Sequence, residues 1–320
     1  MRPTAAARAW LLHLAVIALL FGLQFVLPAY HHKNLARIMV LACYATGYNI
    51  LMGYTGLLSL GHAMFFAAGL YAAGMAVQML GLAAPAGFAI AVLAGLLLAV
   101  AAGLVALRTS GVSFMIVTLM FAQACFLLTL YFNDVTRGDE GFVLAPAARR
   151  WSLGGMAFDL GDPAVRYNAA LALFAICLLA CLALVRSGPG RVLIALRENE
   201  ERTMMLGYHP FRYKLLALGL SGAMAGAAGA AYALLFSYVG STFASIQYSI
   251  YPLLWVLLGG AGTTLGPLVG TLLVFYMVDV SSDYTSSYVL VVGAALVLLV
   301  LWFPRGVLGT LRQRALRWLP

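Results

Sequence analysis

Charge is scarce in this sequence: only 9% of its 320 residues are Asp, Glu, Lys or Arg, while 64% are hydrophobic. A water-soluble domain carries roughly a quarter of its residues as charges, so this composition excludes one and points to a chain that runs mostly through lipid. Lysine is rarer still, at Lys33 and Lys214 alone. Neither follows a G-x-x-x-x-G-K-[ST] loop, whose backbone N–H groups and lysine cradle nucleotide phosphates, so any ATP hydrolysis must come from another polypeptide. The four cysteines (Cys43, Cys125, Cys177, Cys181) all lie inside apolar runs, with no Cys/His spacing that suits a disulfide framework or a metal site. Acids are missing from the middles of the runs. They fall in loops or, for Asp279, at a run's edge, which argues against a buried carboxylate relay for protons. Alternating strands of ~10 residues, the mark of a transmembrane barrel, are also missing.

What the chain does have is apolar runs, near residues 9–27, 35–52, 63–82, 86–107, 111–132, 167–185, 213–237, 244–259, 265–279 and 286–303. They predict an all-α polytopic membrane bundle of about ten passages, some short or broken, forming a single domain over 1–320. The first run follows Arg2 and Arg8, is longer than a signal-peptide core and precedes no A-x-A-like site, so it reads as a retained span. Placing both termini in the cytoplasm puts thirteen of the nineteen Lys and Arg inside: two at the N-terminus, one at Arg108, six in the 186–214 loop and four in the tail. Seven of the ten acids then lie outside, five of them in a periplasmic 133–166 loop. That asymmetry follows the positive-inside rule. It also assigns the net charge of +9 to membrane orientation and anionic lipid rather than to nucleic acid.

Two glycine-rich stretches interrupt the runs. "GYTGLLSLGH" carries Gly53, Gly56 and Gly61, and "GGAGTTLG" carries Gly259, Gly260, Gly262 and Gly266. Both read G-x-x-G followed by Leu-Gly, an internal similarity that points either to a substrate path between two halves or to ordinary turns. The polar residues expected to line that path are Asn49, Thr55, Ser59 and His62 around the first break, with Thr118 and Gln123 as polar positions inside an apolar run. "GLSG" at Gly219–Gly222 has the form of an intramembrane serine nucleophile, but no histidine follows it in the chain. Ser221 with Gly222, Gly226 and Gly229 reads instead as a small-residue packing face, and the chain is not expected to be an enzyme.

The densest charge lies in the 186–214 loop. Between Gly190 and Gly207 the spacing predicts one helix over about 191–206, with Val192, Ala195, Leu196, Asn199, Thr203 and Leu206 on one stripe and a Glu198–Arg202 pair on the exposed face. Such a helix lies on anionic lipid or docks into a soluble partner.

Five segments resemble, in order, the permease subunits of binding-protein-dependent ABC importers for branched-chain amino acids, the LivM-type half of a LivHM pair. They are "NILMGYTGLLSLGHAMFFAAGLYAA" from Asn49, "LRTSGVSFMIVTLMFAQ" from Leu107, "TRGDEGF" from Thr136, "RENEERTMMLGYHPFRYKLLALGLSGAMAGAAGAAYA" from Arg197 and "LLGGAGTTLGPLVG" from Leu257. The resemblance implies a multi-pass protein of the bacterial inner membrane with no cofactor of its own. It implies as partners a LivH-like second permease, two ATP-binding subunits that hydrolyse the ATP, and a periplasmic substrate-binding protein. It also makes 186–214 a coupling loop, in which Glu201, Arg202, Thr203 and Gly207 occupy an E-A-A-x-x-x-G frame beside Glu198, with Arg and Thr in place of the two alanines. Urea and amide importers share these segments, and an ATP-independent channel is the remaining alternative.

Overall fold

The computed structural model describes residues 5–153, 156–285 and 287–314. Arg2, Arg317 and the two extreme ends lie outside them. Each apolar run carries a helix. In chain order the helices are α1 (Ala5–Leu23), α2 (Ala29–Asn49, prolonged by a π-helical turn over Ile50–Tyr54), α3 (Ala63–Gln78), α4 (Ala84–Ala106) and α5 (Gly111–Tyr131), then the one-turn α6 (Asn133–Thr136). There follow α7 (Pro163–Arg186), α8 (Gly188–Glu198), α9 (Glu200–Met205), α10 (Pro210–Phe236), α11 (Ile246–Gly259), α12 (Gly266–Tyr284), α13 (Tyr288–Trp302) and α14 (Val307–Arg314). The protein is a polytopic helical membrane bundle.

Five of these helices are long and apolar enough to cross a membrane: α2 with its π turn, α4, α5, α7 and α10. The shorter ones have a reason to be short. At ~1.5 Å per residue, α3 rises about 24 Å and α11 about 21 Å, less than the ~30 Å hydrocarbon core. Each adjoins a glycine break, with non-helical residues 55–62 leading into α3 and 260–265 leaving α11. Irregular backbone is tolerated at that depth because it is enclosed by protein.

Helix α10 is the central post, packed on α2, α3 and α4. Its small residues permit that approach. A Cβ on Gly226 would meet the Gly95 Cα at 3.0 Å and the Ala91 carbonyl at 2.9 Å on α4, and one on Gly229 would enter the Phe66 backbone of α3. Along one face of α10 the expected packing stripe is therefore present. Helix α1 is tied on by Tyr167, whose hydroxyl donates to the Leu20 carbonyl at 2.6 Å, and by His13, whose Nε2 lies 2.6 Å from Thr264 Oγ1.

The connections gather at two ends. Strand β1 (Phe142–Val143) pairs antiparallel with β4 (Tyr238–Val239), which joins the 133–166 loop to the α10–α11 connection. In the same loop β2 (Arg150–Leu153) and β3 (Met156–Asp159) form a hairpin closed by an Arg150–Asp159 ion pair of 2.7 Å. Hydrogen bonds from Arg150 and then from the Gly161 N–H hold the Asp159 carboxyl below its usual pKa. At the opposite end lie the 186–214 loop, both breaks and α14.

Candidate functional site

The two glycine breaks, some 200 residues apart in sequence, meet in space. Asn49, the last residue of α2, joins them: its Nδ2 donates to the Thr263 carbonyl at 2.9 Å, and its Oδ1 accepts the Gly262 N–H at 3.0 Å. Both ends of this fully buried amide are thus satisfied by the second break. The approach is closest at Gly53, where a Cβ would strike the Asn49 side chain and the Gly262 nitrogen. Gly262 itself has φ +73°, the left-handed region in which glycine carries no steric penalty.

Two arginines close this junction from the loop and tail side. Arg197, the penultimate residue of α8, donates through Nη1 to the Gly53 carbonyl, and Arg312 of α14 donates to the Gly262 carbonyl at 3.2 Å. A charge-assisted bond to a backbone carbonyl left free by a helix break replaces the bond the helix no longer makes. Arg197, Arg312 and His13 were not among the residues singled out by motif or polarity, and no local signal marks them. Their partners lie 144, 50 and 251 residues away.

The expected path residues divide into four groups. Asn49 is engaged as described. Thr55 donates to the Ile50 carbonyl at 2.9 Å, which closes the π turn. Ser59, His62 and Thr118 cluster along the extended segment that leads into α3: Thr118 Oγ1 accepts the Leu60 N–H at 3.2 Å, and the Ser59 carbonyl accepts the Tyr48 hydroxyl at 2.9 Å. A Cβ on Gly61 would collide with the Thr118 carbonyl, so only glycine lets the segment pass α5 this closely. Gln123 is not drawn in. It is half-buried and lies five residues farther along α5, about 7.5 Å up the axis.

His62 is enclosed by rings. Tyr44 stacks on it at 5.5 Å and 24°, and Tyr48 and Phe65 approach edge-on at 5.0 and 5.3 Å. Its Nε2 lies 3.1 Å from Ser221 Oγ, a spacing that suits a nucleophile and its base. The hydrogen-bond count excludes that role. Ser221 has one proton, which it gives to the Gly47 carbonyl at 2.5 Å. His62 must therefore donate from Nε2 to Ser221, so the serine faces a donor rather than a base. The contact ties α3 to α10 and, through Gly47, to α2.

The 186–214 loop departs from the single helix expected over 191–206. Asn199 has extended backbone (φ −161°, ψ 108°), and its Oδ1 accepts the Arg202 N–H at 2.9 Å as an N-cap, so α8 ends and α9 begins there. The break also removes the expected Glu198–Arg202 pair. The ion pair formed in this loop is instead Lys214–Glu200, at 2.6 Å. Val192, Leu196 and Thr203 do turn inward, Thr203 donating to the Asn199 carbonyl at 2.8 Å. Gly207 closes α9 with φ +87°, while the Tyr208 N–H reaches back to the Thr203 carbonyl, a Schellman-type stop. Glu198, Glu201 and Arg202 are exposed, and beside them Met205 and Leu206 are 84% and 76% exposed.

Comparison with known proteins places this architecture. The chain is 28% identical over 294 residues to the high-affinity branched-chain amino acid transport system permease protein LivM of Escherichia coli (strain K12), covering 86% of this chain and 69% of that one. The Salmonella typhimurium LivM is 29% identical over the same lengths. The LivH permease of Salmonella typhimurium is 26% identical over 286 residues, covering 84% of this chain and 91% of LivH. These relatives are transport components, not enzymes. No solved structure gives a significant match. A family model described as "Branched-chain amino acid transport system / permease component" matches residues 32–301. Because that match takes in nine of the ten apolar helices and both breaks, the chain belongs to the permease components of branched-chain amino acid transport systems.

Proposed function

We propose that this chain is one permease subunit of an ABC importer for leucine, isoleucine and valine in a bacterial inner membrane. It pairs with a second, LivH-like permease, receives substrate from a periplasmic binding protein at the 133–166 end, and is driven by two ATP-binding subunits at the 186–214 end. The observation that carries this reading is the loop's exposed face. Met205 and Leu206 stand out beside Glu201 and Arg202 on a short helix capped at Asn199 and stopped at Gly207. An apolar knob rimmed by charge suits a protein groove.

The same loop reaches the core. Arg197 follows α8 into the junction of the two breaks, so a push on α9 has a short route to the Gly53 carbonyl and, through Asn49, to the α11–α12 break. The substrate path then follows the first break past Thr55, Ser59 and Thr118 toward His62.

The test is uptake by proteoliposomes that hold the assembled complex and its binding protein. Radiolabelled leucine, isoleucine and valine are expected to accumulate only with ATP. Accumulation of urea in their place would overturn the cargo, and nucleotide-free flux would overturn the ATP-driven class.

A further inference from the structure

A cavity of about 360 Å³ opens among α2, α10, α11 and α12, at the end of the bundle that carries the 133–166 loop. It is lined by two opposite charges, Arg37 of α2 and Asp279 of α12. Among the described residues no ion pair joins Arg37 to Asp279. Each is held by its own frame. Both Asp279 carboxylate oxygens accept the Tyr30 hydroxyl at 2.8 Å, and Oδ2 lies 3.4 Å from Asn34 Nδ2. The Arg37 guanidinium lies against the rings of Phe236 and Tyr232, 5.2 and 6.0 Å from their centroids, and its buried Nε has no hydrogen-bond partner.

Arg37 lies within the apolar helix α2 with its Nε buried and unpartnered, and an arginine there is costly unless something meets it, while Asp279 stands across the cavity at the edge of its own apolar run. Two such charges facing one cavity without meeting each other leave room for a solute that carries both complements. The rest of the lining selects its shape. Tyr248, Tyr251, Trp255 and Val278 offer an apolar, largely aromatic wall, and the volume lies near the lower end of the ~300–1,000 Å³ usual for small-molecule sites. Tyr251 stacks on Trp255 at 5.9 Å and 11°, which makes the two rings one continuous face of that wall.

We propose that this cavity binds a zwitterionic α-amino acid with an aliphatic side chain. Arg37 takes the carboxylate, Asp279 the ammonium group, and the Tyr251–Trp255 wall the side chain. The proposal rests on the reading of the chain as an amino-acid permease and adds to it a stereochemically selective station inside the membrane. The site also has a structural link to the first break: Tyr248 stacks on Tyr44 at 6.0 Å, and Tyr44 stacks on His62. Occupancy of the cavity therefore bears on the column of rings that ends where the backbone is broken.

The experiment is equilibrium binding of tritiated leucine to the assembled complex in nanodiscs, without binding protein or ATP. The competitors are leucinamide, which lacks the carboxylate, and 4-methylpentanoate, which lacks the amine. Leucine is expected to bind, and each competitor to be weaker by about 10- to 100-fold, the value of one charge-assisted hydrogen-bonding contact. Arg37→Gln should abolish the preference for leucine over leucinamide while keeping the preference over 4-methylpentanoate. Asp279→Asn should do the reverse, and Arg37→Lys and Asp279→Glu should restore part of each. Val278→Trp, which fills the cavity and leaves both charges in place, should remove binding, and it decides the matter if a charge variant fails to assemble. A complex that takes up leucine with ATP, yet keeps wild-type binding and selectivity in these variants, overturns the cavity assignment alone. A complex that takes up no leucine at all overturns the functional reading and the site with it.

Discussion

Replacing Asn49 by alanine tests whether the two glycine breaks are held as one unit. The substitution deletes two hydrogen bonds at once, to the Thr263 carbonyl and from the Gly262 N–H, and nothing else replaces the side chain in this fully buried position. The Gly262 N–H loses its partner outright, at about 1–3 kcal/mol for a buried unsatisfied donor, and the Thr263 carbonyl loses one of similar value. Side-chain hydrogen bonds inside membranes average only ~0.6 kcal/mol in double-mutant cycles, which sets a floor near 1 kcal/mol for the pair. The expected loss is thus about 1–6 kcal/mol, read as a lowered unfolding midpoint of the purified complex in nanodiscs. Gly262→Ala should be similarly damaging, because its Cβ would sit 2.9 Å from the Arg197 guanidinium at φ +73°. A stability change below ~0.5 kcal/mol in Asn49→Ala, with a raised KM for leucine, would refute the clamp and show that Asn49 contacts substrate instead.

Further outcomes follow from other contacts. Gly61→Ala drives a Cβ into the Thr118 carbonyl, so it should cost about 1–3 kcal/mol in thermal stability, and the cost should not be relieved by shortening Thr118 to Ser, because the collision is with backbone. Gly207→Ala strains the left-handed stop of α9 and should cost roughly 1 kcal/mol locally, with ATP hydrolysis retained and uptake reduced. Glu201→Ala should lower uptake without lowering stability, since the side chain is exposed. The folded pKa of Asp159 lies below its usual value of 3.8, so its contribution to the hairpin is present above that pH and is lost as pH falls through the folded value. An NMR titration of Asp159 should show the lowered midpoint, and Arg150→Ala should raise it.

The ten helices were legible because hydropathy is a local property, and each apolar run carries its helix. The glycine breaks were legible for the same reason, and their similar spelling hinted that they belong together. Their contact was not, since it depends on Asn49 reaching across more than 200 residues to Gly262 and Thr263. Arg197 looked like one more loop charge, and only the fold shows that its guanidinium meets the Gly53 carbonyl. The 186–214 loop departs from its expected single helix at one residue. Asn199 fits the periodic stripe of a continuous helix, but its short amide competes for the backbone and caps a new one. Ser221 and His62 show the opposite error of reading order for geometry: a histidine 159 residues before the serine still reaches it, and only the proton count at Gly47 shows what the contact is for.

Arg197 is the proposed link through which the 186–214 loop acts on the paired breaks. Its most direct test measures leucine uptake and binding-protein-stimulated ATP hydrolysis in the same proteoliposomes, for the wild-type complex and for Arg197→Ala. Hydrolysis is expected to persist while uptake falls at least about tenfold, the loss of one charge-assisted hydrogen bond of roughly 1.4 kcal/mol or more. Unchanged uptake at an unchanged ratio of leucine moved to ATP consumed would contradict it.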